Sequence, residues 1–270
     1  MRVVSALLMA LAFSLLFTAC AGPRGPGAAS SADAGKDRVT ASDEPDASKR
    51  ARVRMQLASL YFGNGQMNEA LDNVKMAIIA NPTLSEAFNL RGLIYANLGD
   101  QNLAEESFRH ALQLNAADAD TMQNFGYYLC QQKRYPEADA LFERALAVPR
   151  YANTARTLLT QGVCHAFAGQ LADSERVLSR AYELDPTNPS VAVNLSEVLY
   201  RRGDYERARF YIRRVNGQPA LVSPQTLWLA ARIENRLGNV QGTRDFGNQL
   251  RNRFPESRES ANYQRGAFDE

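Results

Sequence analysis

The chain has 270 residues, of which 45% are hydrophobic and 22% charged, with a formal net charge of +2. That is enough apolar material for a sizeable core and excludes a disordered polyelectrolyte. The basic residues are mostly arginine, scattered along the chain rather than gathered into a stripe, so no phosphate-tracking surface is legible and no nucleic-acid partner is expected.

At the N-terminus Met1-Arg2 supplies a short positive region, and Val3 to Phe17 are almost wholly apolar. That run is too short for a comfortable membrane span and has the length of a signal-peptide core. It ends in Phe17-Thr18-Ala19-Cys20, which resembles the lipobox of bacterial lipoproteins, with Phe17 where those proteins usually carry Leu. The resemblance implies a signal peptide over 1–19 and lipidation of Cys20. Ala21, rather than Asp, follows the cysteine; by the same resemblance this implies the outer membrane, with the protein facing the periplasm. Residues 20–49 open with Gly22-Pro23-Arg24-Gly25-Pro26-Gly27 and continue in Ala, Ser, Asp and Lys. This composition cannot build a core and is expected to be a flexible tether.

From Ala51 onward a period of 34 residues governs the chain. Small residues recur at Ala70, Ala104 and Ala138, again at Ala77, Ala111 and Ala145, and upstream at Ala58, Gly92 and Gly126. Val74, Phe108 and Phe142 stand between the first two sets. A small residue at fixed phase lets two helices approach, and a large apolar one fills the groove beside it. The pattern resembles the tetratricopeptide repeat, a helix–turn–helix unit that stacks into a right-handed superhelix. The expected fold is all-α, with about six repeats over 51–84, 85–118, 119–152, 155–188, 189–222 and 223–256. Asn153 and Thr154 interrupt the period, Ser174 stands where Ala is usual, and Gly242 replaces Ala in a weaker sixth repeat. Gly65 and Gly99 mark turns between paired helices. Residues 257–270 are a polar tail, either a short cap or unstructured.

The chemistry of catalysis is not written here. His110 and His165 are the two histidines, in different repeats, and no His-Glu-x-x-His, Cys-x-x-Cys or phosphate-binding glycine loop occurs. No enzyme activity, metal, cofactor or small-molecule substrate is expected. Cys130 and Cys164, 34 residues apart, lie on the first helices of adjacent repeats. In an oxidising compartment they are a candidate disulfide; the alternative is two separate buried thiols.

By resemblance to the repeat family, the concave face comes from fixed positions of each first helix. The candidate protein-binding groove comprises Met55, Ser59, Phe62, Asn89, Leu93, Asn97, Gln123 and Tyr127, in the first three repeats. Gln131 follows in repeat three, Val163 and Phe167 in repeat four, and Glu197, Tyr200 and Arg201 in repeat five. Mixed aromatic, amide and methionine side chains suit a peptide or helix of another protein.

Two stretches go beyond the generic repeat. One is Asn124-Phe125-Gly126-Tyr127-Tyr128-Leu129-Cys130 with the turn Lys133-Arg134-Tyr135; the other is Pro189-Ser190-Val191-Ala192 leading to Leu199-Tyr200-Arg201-Arg202-Gly203-Asp204-Tyr205. With the lipoprotein signal they resemble the type IV pilus biogenesis and stability lipoproteins, the PilF/PilW family. The resemblance implies a pilotin, which binds secretin subunits and promotes their localisation and multimerisation in the outer membrane. A scaffold lipoprotein for another envelope machine, serving outer-membrane protein insertion or peptidoglycan enzymes, shares every physical feature and differs only in its partner.

Overall fold

The computed structural model describes residues 46–268; the expected signal peptide, Cys20 and most of the expected tether lie outside the described residues. Among the described residues there are thirteen α-helices, one 3-10 turn and no strand. Twelve of the helices form six hairpins: α1 (Asp46–Gly63) with α2 (Met67–Ala80), α3 (Ser85–Leu98) with α4 (Gln101–Leu114), and α5 (Ala119–Gln131) with α6 (Tyr135–Leu146). The remaining three are α7 (Thr154–Phe167) with α8 (Leu171–Leu184), α9 (Pro189–Arg201) with α10 (Tyr205–Asn216), and α11 (Pro224–Arg236) with α12 (Val240–Arg253). Residues 46–49, read from sequence as the end of the tether, belong to α1.

The period has a steric cause. A Cβ added at Gly92 or Gly126 would stand 2.8 Å from the ring of Phe108 or Phe142, and one at Gly162 would stand 2.6 Å from Leu178. These are real interlocks: the three large side chains are fully buried, and each stabilises its hairpin by about 1.5–3 kcal/mol. Ser174 replaces alanine without leaving an orphan donor, because its Oγ donates to the Gly162 carbonyl at 2.6 Å. Ser196 does the same to Ala208 at 2.9 Å. Both bonds run from one helix of a hairpin to the other, so the serines staple as well as fit.

Neighbouring hairpins share one core. The Phe108 ring stacks on Phe125 at 5.3 Å and tilts against Tyr128 at 5.7 Å, joining repeat two to repeat three. The insertion at Asn153 and Thr154 is held by Asn153 Nδ2 donating to Asp120 Oδ1 at 2.9 Å, which fixes the entry of α7 on α5. Asp100, Asp118 and Asp204 accept amide hydrogens at helix starts, and Ser223 with Thr226 closes a capping box on α11.

The two ends differ. The polar tail carries a helix, α13 (Arg258–Arg265), packed on α11 and α12. Its Tyr263 ring lies on Gly247, where an added Cβ would fall 1.9 Å from the ring, and Phe268 stacks on Trp228 at 5.3 Å. These contacts close the last repeat. In the first repeat, Val53 and Leu60 hold the register that Ala87 and Ile94 hold in the second. The latter pair is buried, whereas Val53 is 49% and Leu60 64% exposed.

Candidate protein-binding groove

The left-handed residue between the two helices of a hairpin is Gly65, Gly99, Gly169, Gly203 and Gly238 in five repeats, with φ from 70° to 83°. Glycine reaches that region without a Cβ penalty. Repeat three places Lys133 there instead, at φ 60°. A lysine in this conformation costs about 1 kcal/mol or more, and its backbone amide still closes the turn on the Cys130 carbonyl at 2.9 Å.

Lys133 sits on the rim of a cavity of about 660 Å³ lined by Tyr127, Cys130, Gln131, Tyr135, Thr160, Val163, Cys164 and Phe167. The first helices of repeats three and four, α5 and α7, form most of its wall. Cys130 and Cys164 are joined as a disulfide, with Cα atoms 5.9 Å apart, and lie in that wall. Phe167 is 70% exposed and Tyr127 44% exposed, so two aromatic faces stand open beside a covalently braced floor. The adjacent Arg134 is neutralised: its guanidinium pairs with Glu105 at 2.5 Å and with Glu137 at 2.6 Å. Lys133, by contrast, has no side-chain partner among the described residues. Burial opposes the charge on Glu105, but Arg134 and Arg109 outweigh it and hold its carboxyl below the ordinary glutamate value. The cluster therefore leaves one unmatched positive charge at the cavity mouth.

The residues expected to form the groove divide. Met55 and Phe62 are half-buried against the first core cluster, and Leu93 packs on the cluster centred on Phe108 and Phe125. Asn89 is tied to Asn124, whose Nδ2 donates to its Oδ1 at 3.2 Å across α3 and α5. Asn97 turns back on its own helix, donating to the Leu93 carbonyl at 2.8 Å. Ser59 is exposed. Gln123 is 4% exposed, so it does not reach the open face. Of these eight, Tyr127 lines the cavity, which lies between repeats three and four and is also lined by Gln131, Val163 and Phe167, the further concave-face positions expected from sequence. Lys133, Tyr135 and Thr160 complete it. Only aligning Lys133 with the turn glycines would have singled it out from sequence.

A second cleft of about 430 Å³ opens between α4, α5 and α6, over Phe125, Leu129 and Leu141. The histidines are packing residues: the His110 ring tilts against Phe88 at 4.2 Å. His165 is held by Gln170 at 2.7 Å and Asp139 at 3.1 Å.

Sequence profiles of the tetratricopeptide repeat match residues 85–118, 115–187 and 168–220. Together with the six hairpins they define the class: the chain belongs to the tetratricopeptide-repeat proteins. It is homologous to the type IV pilus biogenesis factors PilF and PilW. The type IV pilus assembly protein PilF of Pseudomonas aeruginosa is 25% identical over 213 residues, covering 78% of this chain and 83% of that one. The crystal structure of PilW, described as a widely conserved type IV pilus biogenesis factor, superposes with a TM-score of 0.73 at 29% identity, covering 78% of this chain and 96% of that one. The structure of Pseudomonas aeruginosa PilF shares the fold, with a TM-score of 0.70 at 22% identity over 82% of this chain.

Proposed function

We propose that this protein is a pilotin: an outer-membrane lipoprotein, anchored through Cys20, that binds type IV pilus secretin subunits and promotes their localisation and multimerisation. The observation that carries the reading is the likeness to PilW across 96% of that chain. The open aromatic cavity on the first-helix face supports it, because it offers the kind of surface a protein segment needs. Lipid would supply the address, the segment after Cys20 the reach, and the repeats the docking surface. A single acyl chain gives marginal anchoring and several give a stable one.

The test is deletion of the gene, followed by immunoblotting of boiled and unboiled membranes for the secretin and a count of surface pili. Loss of the multimer with monomer retained, together with loss of pili, is the expected result. Normal multimers and normal pili would overturn it and leave the scaffold role in another envelope machine. Cys20→Ala should release the protein from the outer-membrane fraction, and retention there would refute the anchor.

A further inference from the structure

The cavity between α5 and α7 combines three features that the other repeats do not share. Its rim lysine occupies a left-handed position held by glycine in five repeats. That lysine has no side-chain partner among the described residues. Beside it, Phe167 and Tyr127 expose their rings over a floor braced by the Cys130–Cys164 disulfide. Strained backbone persists where the surroundings over-determine it, and it clusters at binding sites. Nothing in the packing of this turn asks for lysine, since glycine makes the same turn elsewhere in the chain.

We propose that this cavity is a docking site for a protein segment presenting an aromatic anchor with an aspartate or glutamate one or two residues away. The anchor stacks between Phe167 and Tyr127, and the carboxylate pairs with the Lys133 ammonium. The aromatic walls select the first group by apolar burial and ring stacking. The lone cation selects the second by charge complementarity, and the disulfide keeps the two walls at fixed separation, so little ordering is needed on binding. The inference rests on the reading of the protein as a binding module and not on the secretin as its partner. The assay below contains no secretin, so the two readings fail separately.

The experiment measures fluorescence anisotropy of labelled Gly/Ser-based dodecapeptides carrying Trp-x-Asp, Trp-x-Lys or Ser-x-Asp, added to the detergent-solubilised full chain. Trp-x-Asp should bind about tenfold more tightly than either control, Trp-x-Lys lacking the charge-assisted contact and Ser-x-Asp lacking the buried ring. Lys133→Gly should abolish the preference for Trp-x-Asp over Trp-x-Lys while leaving the melting temperature unchanged or raised, because glycine suits the turn. Phe167→Ser should weaken Trp-x-Asp about tenfold without altering the melt, since the ring is mostly exposed. Equal binding of the three peptides would overturn the proposal. So would a lowered melting temperature in Lys133→Gly, which would make the lysine a structural residue. Tighter binding of a peptide spanning 30–45 of this chain, or a dimer in sedimentation that Phe167→Ser dissociates, would assign the cavity to the chain's own segment or to a second copy instead.

Discussion

Replacing Gly247 by alanine should uncap the C-terminal end of the repeats. The Cβ would fall 1.9 Å from the Tyr263 ring, too close for any adjustment of α12, so the ring must leave its seat on Gly247, by rotating out or with α13 moving away. Tyr263 and Phe268 are both half-buried against Leu227, Trp228, Ala231 and Leu250. Half of the burial energy of two aromatic side chains is about 2–3 kcal/mol, more than the roughly 1 kcal/mol that alanine gains over glycine inside a helix. Trp228 is the one tryptophan of the sequence and stacks on Phe268, so its emission reports the cap directly. In Gly247→Ala the emission should shift to the red, and amides of α11 and α12 should exchange faster. The same substitution in a chain lacking 258–270 should be neutral or stabilising, since the clash is gone. A double-mutant cycle isolates that coupling. Additive effects, or unchanged Trp228 emission in the full chain, would refute the argument.

Three further outcomes follow from the geometry. Glu234 has a fully buried side chain that accepts from Arg213 at 2.6 Å and from Asn239 at 2.7 Å; Glu234→Leu should cost about 2–4 kcal/mol in chemical denaturation by stranding those donors. Cys130→Ser with Cys164→Ser opens a loop of 34 residues, which the chain-entropy account puts at about 4 kcal/mol; an unchanged denaturation midpoint would contradict it. The lowered pKa of Glu105, where burial is outweighed by Arg134 and Arg109, means its stabilisation is full above the unfolded value near 4.5 and is lost as pH falls through the lower folded value. The melting-temperature gap between wild type and Glu105→Gln should therefore close on the acid side, and a pH-independent gap would disprove the linkage.

The repeats were legible because their cause is local and periodic. Gly92 with Phe108 and Gly126 with Phe142 are spaced alike along the chain, and a helix hairpin needs little else to declare itself. Ser174 departs from the small apolar pattern in sequence, and its hydroxyl fits the hairpin by bonding to the Gly162 carbonyl. The tail left two readings open, a short cap or no structure, because α13 is mostly polar and the two apolar contacts of the cap, Tyr263 in α13 and Phe268 beyond it, do not follow a helical period. Of the concave-face positions read from the repeat, Tyr127, Gln131, Val163 and Phe167 line the cavity between α5 and α7, and the repeat pattern does not say which of the others stand open. Positions that line the concave face in the repeat family carry both packed and open side chains here, and sequence does not separate a half-buried Leu93 from an exposed Phe167. Backbone conformation was hidden too: nothing in the identity of Lys133 announces a left-handed residue.

The disulfide also fixes how the chain would respond to tension. A solenoid held by nearest-neighbour contacts unspools one hairpin at a time when drawn by its ends. The covalent link between Cys130 and Cys164 takes the intervening 34 residues out of that path. The load would pass from α5 directly to α7, and α6 would bear none of it. At about 3.5 Å per residue, the fully extended chain would be shorter by roughly 120 Å. The repeats on either side could yield while the wall of the cavity stayed joined.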